Sequence, residues 1–214
     1  MATPRSQRIG IWVIAIVLVI GTLGSFLAMI LSTQNQSIDK ANITKLEAEY
    51  QAKVDAQTKQ LSDKYYTEFS QYGTTPAAFN ADDIKEVTKT DLKVGDGIEV
   101  KSGNEYSAYY IGWDPKGVVF DQSIKDGALK APITAGSPTS SMIAGWSEGV
   151  VGMKTNGVRE ISIPSAKAYG ATGNGSTIGP NTPIKFVIMV IPTVTAATVP
   201  AELLQYYQSQ YPQQ

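Results

Sequence analysis

Residues 143–163 read Ile-Ala-Gly-Trp-Ser-Glu-Gly-Val-Val-Gly-Met-Lys-Thr-Asn-Gly-Val-Arg-Glu-Ile-Ser-Ile. The first half, Ile143 to Met153, has room for one short helix. The second half, from Gly157 to Ile163, is rich in β-branched residues and bounded by turn formers, so it reads as a strand. Working outward, Ile98-Glu-Val, Ser107-Ala-Tyr-Tyr-Ile, Val118-Val-Phe and Ile184-Lys-Phe-Val-Ile-Met-Val-Ile share that texture. Short strands separated by Gly- and Pro-containing turns, with one helix among them, predict an antiparallel sheet crossed by a single helix. That is an α+β domain, placed here at residues 91–193.

Composition narrows the chemistry. The chain of 214 residues has 18 Lys+Arg against 19 Asp+Glu, a net charge of −1. A nucleic-acid partner needs a basic surplus or stripe, and none is present, so nucleic acid is not expected as a partner. There is no Cys and no His. That removes disulfides, thiolate metal sites, Ser-His-Asp hydrolysis and His-ligated zinc. No metal or cofactor is expected. Catalysis, if any, must proceed without a soft metal or an imidazole base.

The rest of the chain divides by texture. Residues 9–31 carry no charge and exceed the ~20 residues that a membrane-spanning helix needs. Arg5 and Arg8 precede the run, and the first charge after it is Asp39. The positive-inside rule then puts residues 1–8 in the cytoplasm and everything after residue 31 outside. The apolar run is too long for a cleaved signal, and Ala28-Met-Ile is a poor cleavage site. We therefore expect a single-pass signal anchor in the cell membrane, with an extracytoplasmic C-terminal domain. Residues 32–72 follow as a helical stalk, rich in Ala, Gln, Lys and Glu, with a stripe of Ile38, Leu46, Tyr50, Val54, Leu61, Tyr65 and Phe69. Self-association of that stripe into a coiled-coil homodimer stands beside packing on the chain's own domain or a solvated spacer. Residues 73–90 read as a linker. Residues 194–214 form a Gln- and Tyr-rich tail with a brief helix at Pro200–Gln208.

Five blocks, in order, resemble one family. Leu92-Lys-Val-Gly-Asp-Gly-Ile-Glu-Val looks like the opening strand of the FKBP-type peptidyl-prolyl isomerases. Tyr110-Ile-Gly-Trp-Asp-Pro-Lys-Gly-Val-Val-Phe120-Asp121 is similar to that family's Tyr-x-Gly and Phe-Asp segment. Met142-Ile143-Ala-Gly-Trp146-Ser-Glu-Gly resembles its helix. Ile163-Pro-Ser-Ala-Lys-Ala-Tyr169-Gly resembles its Ile-Pro-x-x-x-Ala-Tyr-Gly run, and Ile178-Gly-Pro-Asn-Thr-Pro-Ile-Lys-Phe186 its closing strand.

The resemblance implies an FKBP-like half-barrel sheet wrapped on one short helix, with an apolar pocket between them. It implies catalytic roles for Tyr110, Phe120, Asp121, Ile143, Trp146, Tyr169 and Phe186, and substrate contacts for Met142, Ile178 and Ala131. Trp146 would be the floor, the Ile143 N–H would hold a carbonyl, and the Tyr169 hydroxyl would face the substrate peptide. Lys125 is the nearest cation in the flap to pair with Asp121. The implied activity is cis–trans isomerisation of X-Pro bonds in extracytoplasmic proteins. It suits a chain without His or Cys, because rotation about an amide breaks no covalent bond. The alternative is a non-enzymatic peptide-binding or chaperone module using the same groove, tethered to the membrane.

Overall fold

The computed structural model describes residues 40–136 and 142–210. The expected anchor at residues 9–31 lies outside them. Among the described residues no helix is long and apolar enough to cross a membrane. Two compact units are present, Val54–Ala196 and a smaller one that joins the chain up to Lys53 with the residues from Ala197.

Helix α1 spans Lys40–Ser70, an unbroken run without Gly or Pro, as its composition predicts. In the larger unit follow β1 (Thr88–Lys93), β2 (Tyr106–Trp113), β3 (Val119–Gln122), β4 (Ile124–Lys125), β5 (Ala128–Leu129), β6 (Ile133–Ala135), the short helix α2 (Ala144–Val150), β7 (Val158–Ile163) and β8 (Ile184–Ile191). The main sheet runs β1-β7-β8-β2-β3, with β6 also paired to β2. Every pairing is antiparallel. The expected antiparallel sheet with one helix across it is present. The small unit holds α3 (Ala201–Gln210), near the helix expected in the tail. Its buried apolar residues include Ile43 and Leu203, and the Tyr207 hydroxyl donates to the Glu47 carboxylate.

Side chains alternate across a strand with a period of two, so β2 and β8 serve two cores at once. On one face Tyr106, Ala108, Ile184, Phe186, Ile188 and Val190 pack with Ile161 and Ile163 of β7 against Trp146 and Val150 of α2. On the other, Tyr109, Ile111, Trp113, Val187, Met189 and Ile191 pack against Tyr65 and Phe69 of α1. A strand covered on both sides has no polar face, which explains the apolar run Phe186–Ile191 of β8, with Lys185 near its start paired to Glu160 at 2.9 Å. Phe69 is fully buried there, and the Tyr65 and Phe69 rings lie 6.0 and 6.1 Å from that of Tyr109. The second half of the apolar stripe on α1 is thus spent on the chain's own sheet. Any pairing of two copies through α1 has to use the residues before it.

Close approach of α2 to β7 depends on Gly145 and Gly149, one helical turn apart. A Cβ on Gly145 would stand 2.2 Å from Ile163 Cγ2, and one on Gly149 would stand 2.9 Å from the Ile161 side chain. On β7, one strand in from the sheet edge, Arg159 is 7 % exposed. Its guanidinium donates to Asp91 at 2.6 and 3.2 Å and to the carbonyls of Gly149 and Val151 at 2.9 and 3.1 Å. Burial of an arginine is tolerable only when it is paired in this way.

Two expectations change. The opening strand is Thr88–Lys93, within and beyond the stretch read as linker. Ile98-Glu-Val forms only an isolated bridge, Glu99 to Lys154. β1 is exposed along its whole length, so its pattern carries no apolar alternation, and it is a strand because it pairs with β7.

Candidate functional site

The first core is open at one end. There the sheet, the N-terminal end of α2 and the loop after β7 enclose an open cavity of about 390 Å³. It is lined by Tyr110 from β2, Phe120 and Asp121 from β3, Phe186 from β8, and Met142, Ile143 and Trp146 at and before α2, together with Tyr169 and Ile178 from the loop. Nine residues singled out by sequence therefore meet in one place. Ala131 is not among the lining residues and is exposed. Ile133, two positions on, forms that part of the wall. Asn174 and Thr177 line the mouth as well. Their signal in the sequence was weak, a glycine-rich loop just before Ile178.

Four rings build the floor and sides. Trp146 and Phe186 meet edge to face at 5.1 Å, Tyr110 and Trp146 at 5.6 Å, and Phe120 and Phe186 at 5.5 Å. Edge-to-face packing suits aromatic quadrupoles and fixes the rings against one another. Trp146 is further held by its indole N–H, which donates to the Tyr106 hydroxyl at 2.9 Å, beneath the cavity. The box closes because position 112 is glycine. Gly112 pairs with Phe186 in the sheet, and a Cβ there would stand 2.4 Å from the Phe186 ring and 2.7 Å from that of Phe120.

Polar side chains in the lining include Tyr110, Asp121, Tyr169, Asn174 and Thr177. The Tyr110 hydroxyl donates to Asp121. Burial, with the neighbouring carboxylate second, pushes the Tyr110 hydroxyl well above the ordinary tyrosine range. It stays protonated and remains a donor at any physiological pH. Asp121 also accepts the Gln122 N–H at 2.8 Å. Its cation is Lys130, at 3.5 Å, and not Lys125. Lys125 sits in the hairpin β4–β5, just before its two-residue turn at Asp126 (φ 50°) and Gly127 (φ 74°). Ile143 precedes the first turn of α2, and its N–H makes no hydrogen bond among the described residues.

Tyr169 is placed by a 3₁₀ turn, Ser165–Lys167, and by the Gly170 N–H to Ser165 carbonyl bond of 2.8 Å. The loop then closes through the Asn174 N–H to the Ile178 carbonyl at 2.8 Å. A concave, ring-lined site with a few convergent polar groups is fitted to bind a small apolar group beside a peptide backbone. Among the described residues no cluster of His, Cys, Asp and Glu able to hold a metal occurs.

Comparison with known proteins bears on the same segment. Residues 97–191 match the family model of the FKBP-type peptidyl-prolyl cis-trans isomerases. An FK506-binding protein of Neisseria meningitidis serogroup A is 37% identical over 101 residues, 47% of this chain and 90% of that protein. A 39 kDa FK506-binding nuclear protein of Drosophila melanogaster is 39% identical over 99 residues, 46% of this chain and 27% of that one. Among solved structures, the crystal structure of AtFKBP13 aligns with 31% identity and a TM-score of 0.45, covering 50% of this chain and 93% of that chain.

Proposed function

The chain belongs to the FKBP-type peptidyl-prolyl cis-trans isomerases, and from that premise we propose that its ring-lined cavity is where the X-Pro bond of a client protein turns. The observation that carries the reading is the box of Tyr110, Phe120, Trp146 and Phe186, closed below and open to one side. A proline ring enters among these four side chains. The Ile143 N–H holds the carbonyl of the bound peptide, and Tyr169 bounds the exit.

The chemistry follows from the amide. Planarity comes from resonance, which puts partial charge on oxygen and nitrogen, and the barrier to rotation is ~18–20 kcal/mol. At the twisted transition state resonance is lost and the bond is less polar. An aromatic, largely dry surface solvates the planar amide poorly and the twisted one with less penalty, so it binds the transition state better than the ground state. Fixed donors at the rim hold the flanking carbonyl without having to reorganise. X-Pro bonds suit this mechanism, because their two isomers differ by only ~0.5–1 kcal/mol.

The decisive experiment is a protease-coupled isomerisation assay of the full chain on X-Pro peptides, with Phe120→Ala and Tyr169→Phe beside it. We expect Phe120→Ala to lower kcat/KM by roughly ten- to a hundredfold, the effect of losing one wall of the box. Tyr169→Phe should lower it less. Full activity in Phe120→Ala, with the fold intact by circular dichroism, overturns the assignment of the cavity.

The clients are extracytoplasmic proteins in this reading, with residues 9–31 as the anchor. The uncharged run and the preceding Arg5 and Arg8 support it. Carbonate-resistant membrane association that is lost on deleting residues 9–31, together with protease access to the domain from the outer face, is the expected result. A carbonate-extractable protein would contradict it.

A further inference from the structure

We propose that α1 is a positioning element of the prolyl pocket, acting through the hairpin β4–β5, and that Ser62 is the residue that couples them. The proposal rests on the reading of the cavity given above and adds a determinant of its shape.

The hairpin lies between β3 and β6 and forms its own two-stranded sheet, apart from the main one. Its strands are two residues each. Such a ribbon has no stability of its own in water and takes its position from what it packs against. Here that is α1. Leu129 is 3 % exposed and belongs to the cluster built on Tyr65 and Phe69, against which Ile124 also packs. The Leu129 N–H donates to Ser62 Oγ at 2.9 Å, in a buried contact. A mid-helix serine ordinarily turns to water or to its own backbone. Ser62 instead reaches a main-chain donor of another element.

The other side of the hairpin runs into the pocket. Lys130, next to Leu129, donates its N–H to the Ser123 carbonyl at 2.8 Å and carries its ammonium to Asp121 at 3.5 Å. Ser123 is locked to Tyr110 twice: its N–H bonds the Tyr110 carbonyl at 2.8 Å, and its Oγ accepts the Tyr110 N–H at 2.9 Å. Ile133 of the lining follows four residues after Leu129. One short stretch of chain thus connects a buried bond on α1 to three lining residues. Without the Ser62 hydroxyl, the Leu129 N–H is left buried and unpaired, and the hairpin gains by moving outward to water. Ser62 does not touch the substrate. It sets how often the wall stands in its closed place.

The test uses the full chain with Ser62→Ala, Ser62→Thr and, as a control on an exposed face of the same helix, Gln60→Ala. Steady-state isomerisation of an X-Pro peptide is read well below the melting temperature, and amide hydrogen exchange is followed across residues 123–135 and across β7 and β8. We expect Ser62→Ala to raise KM roughly three- to tenfold, the population shift that one hydrogen bond commands, with kcat changed less than about twofold. Exchange should accelerate in residues 123–135 and not in β8. Ser62→Thr keeps the hydroxyl and should retain both properties, and Gln60→Ala should match the parent. An unchanged KM in Ser62→Ala, an equal rise in Gln60→Ala, or protection lost evenly through β7 and β8 overturns the proposal. Should Phe120→Ala be fully active, the cavity is not the prolyl site; local loosening of residues 123–135 in Ser62→Ala would still separate that failure from this one.

Discussion

Gly112→Ala adds a single methyl group at the point where the pocket is tightest. Its Cβ would lie 2.4 Å from Cε1 of Phe186 and 2.7 to 2.8 Å from the ring edge of Phe120, whereas ordinary contact begins near 3.4 Å. The Phe186 ring must therefore give way by about 1 Å, and the Phe120 ring by somewhat less. Phe186 has little freedom to do so. It is 4 % exposed and packed edge to face on Trp146, Tyr110 and Phe120. Overpacking of a well-filled core costs ~1–3 kcal/mol. For a domain of this size that is a fall in melting temperature of roughly 3–10 °C. The strain falls on the rings that would grip the proline, so a similar loss is expected at the transition state, about ten- to a hundredfold in kcat/KM. The assay is protease-coupled isomerisation at 10–15 °C, where the variant remains folded, with melts by circular dichroism. A Gly112→Ala protein with parental activity and parental melting temperature would refute both the packing argument and the location of the site.

Two further outcomes are expected. Tyr106, Tyr109 and Tyr110 all have hydroxyls raised above the ordinary value of 10.0, chiefly by burial. The folded state then keeps protons that the unfolded chain releases, so stability is whole below about pH 10 and falls as pH rises beyond it. Thermal melts between pH 8 and 11 should show that decline, with phenolate absorbance lagging in the folded protein; a melting temperature flat to pH 11 would contradict it. Separately, the Tyr109 hydroxyl is buried and has no hydrogen-bond partner among the described residues. Tyr109→Phe should raise stability by about 1 kcal/mol, read by urea denaturation, and a loss of that size would show the hydroxyl to be satisfied.

How far the sequence could be read depended on what each residue had to satisfy. The pocket blocks were legible because a ring-lined box tolerates few side chains. Tyr110, Gly112, Phe120, Trp146 and Phe186 stand in the blocks that resemble the family, and the structure brings them together. Only the family resemblance puts Ala131 at the wall. The chain in the flap is held by contacts distant in sequence, and these bring Ile133 to the wall in its place. Lys130 rather than Lys125 reaches Asp121, beyond the turn at Asp126 and Gly127. β1 was missed because an edge strand exposed on both faces has no apolar period, and pairing with β7 is all that makes it a strand.

By itself, then, the sequence determined what local patterns and chemical inventory can determine. The absence of His and Cys limited the chemistry to a reaction needing neither. The β-rich runs specified an antiparallel sheet, the segment Ile143 to Met153 one short helix, and the ordered blocks the family. In the structure the apolar run Phe186–Ile191 of β8 is covered on both faces, because a side chain of either parity would otherwise meet water. What supplied the second cover was decided only in three dimensions. The stripe of Leu61, Tyr65 and Phe69 satisfies helical periodicity equally well against a second helix or against a sheet, so periodicity alone cannot choose. The choice fell to the sheet, whose outer face offers Tyr109, Ile111, Val187 and Met189 at a spacing that these residues fill. With that docking came the Ser62 to Leu129 bond, 67 residues apart in the chain, a contact no local pattern encodes.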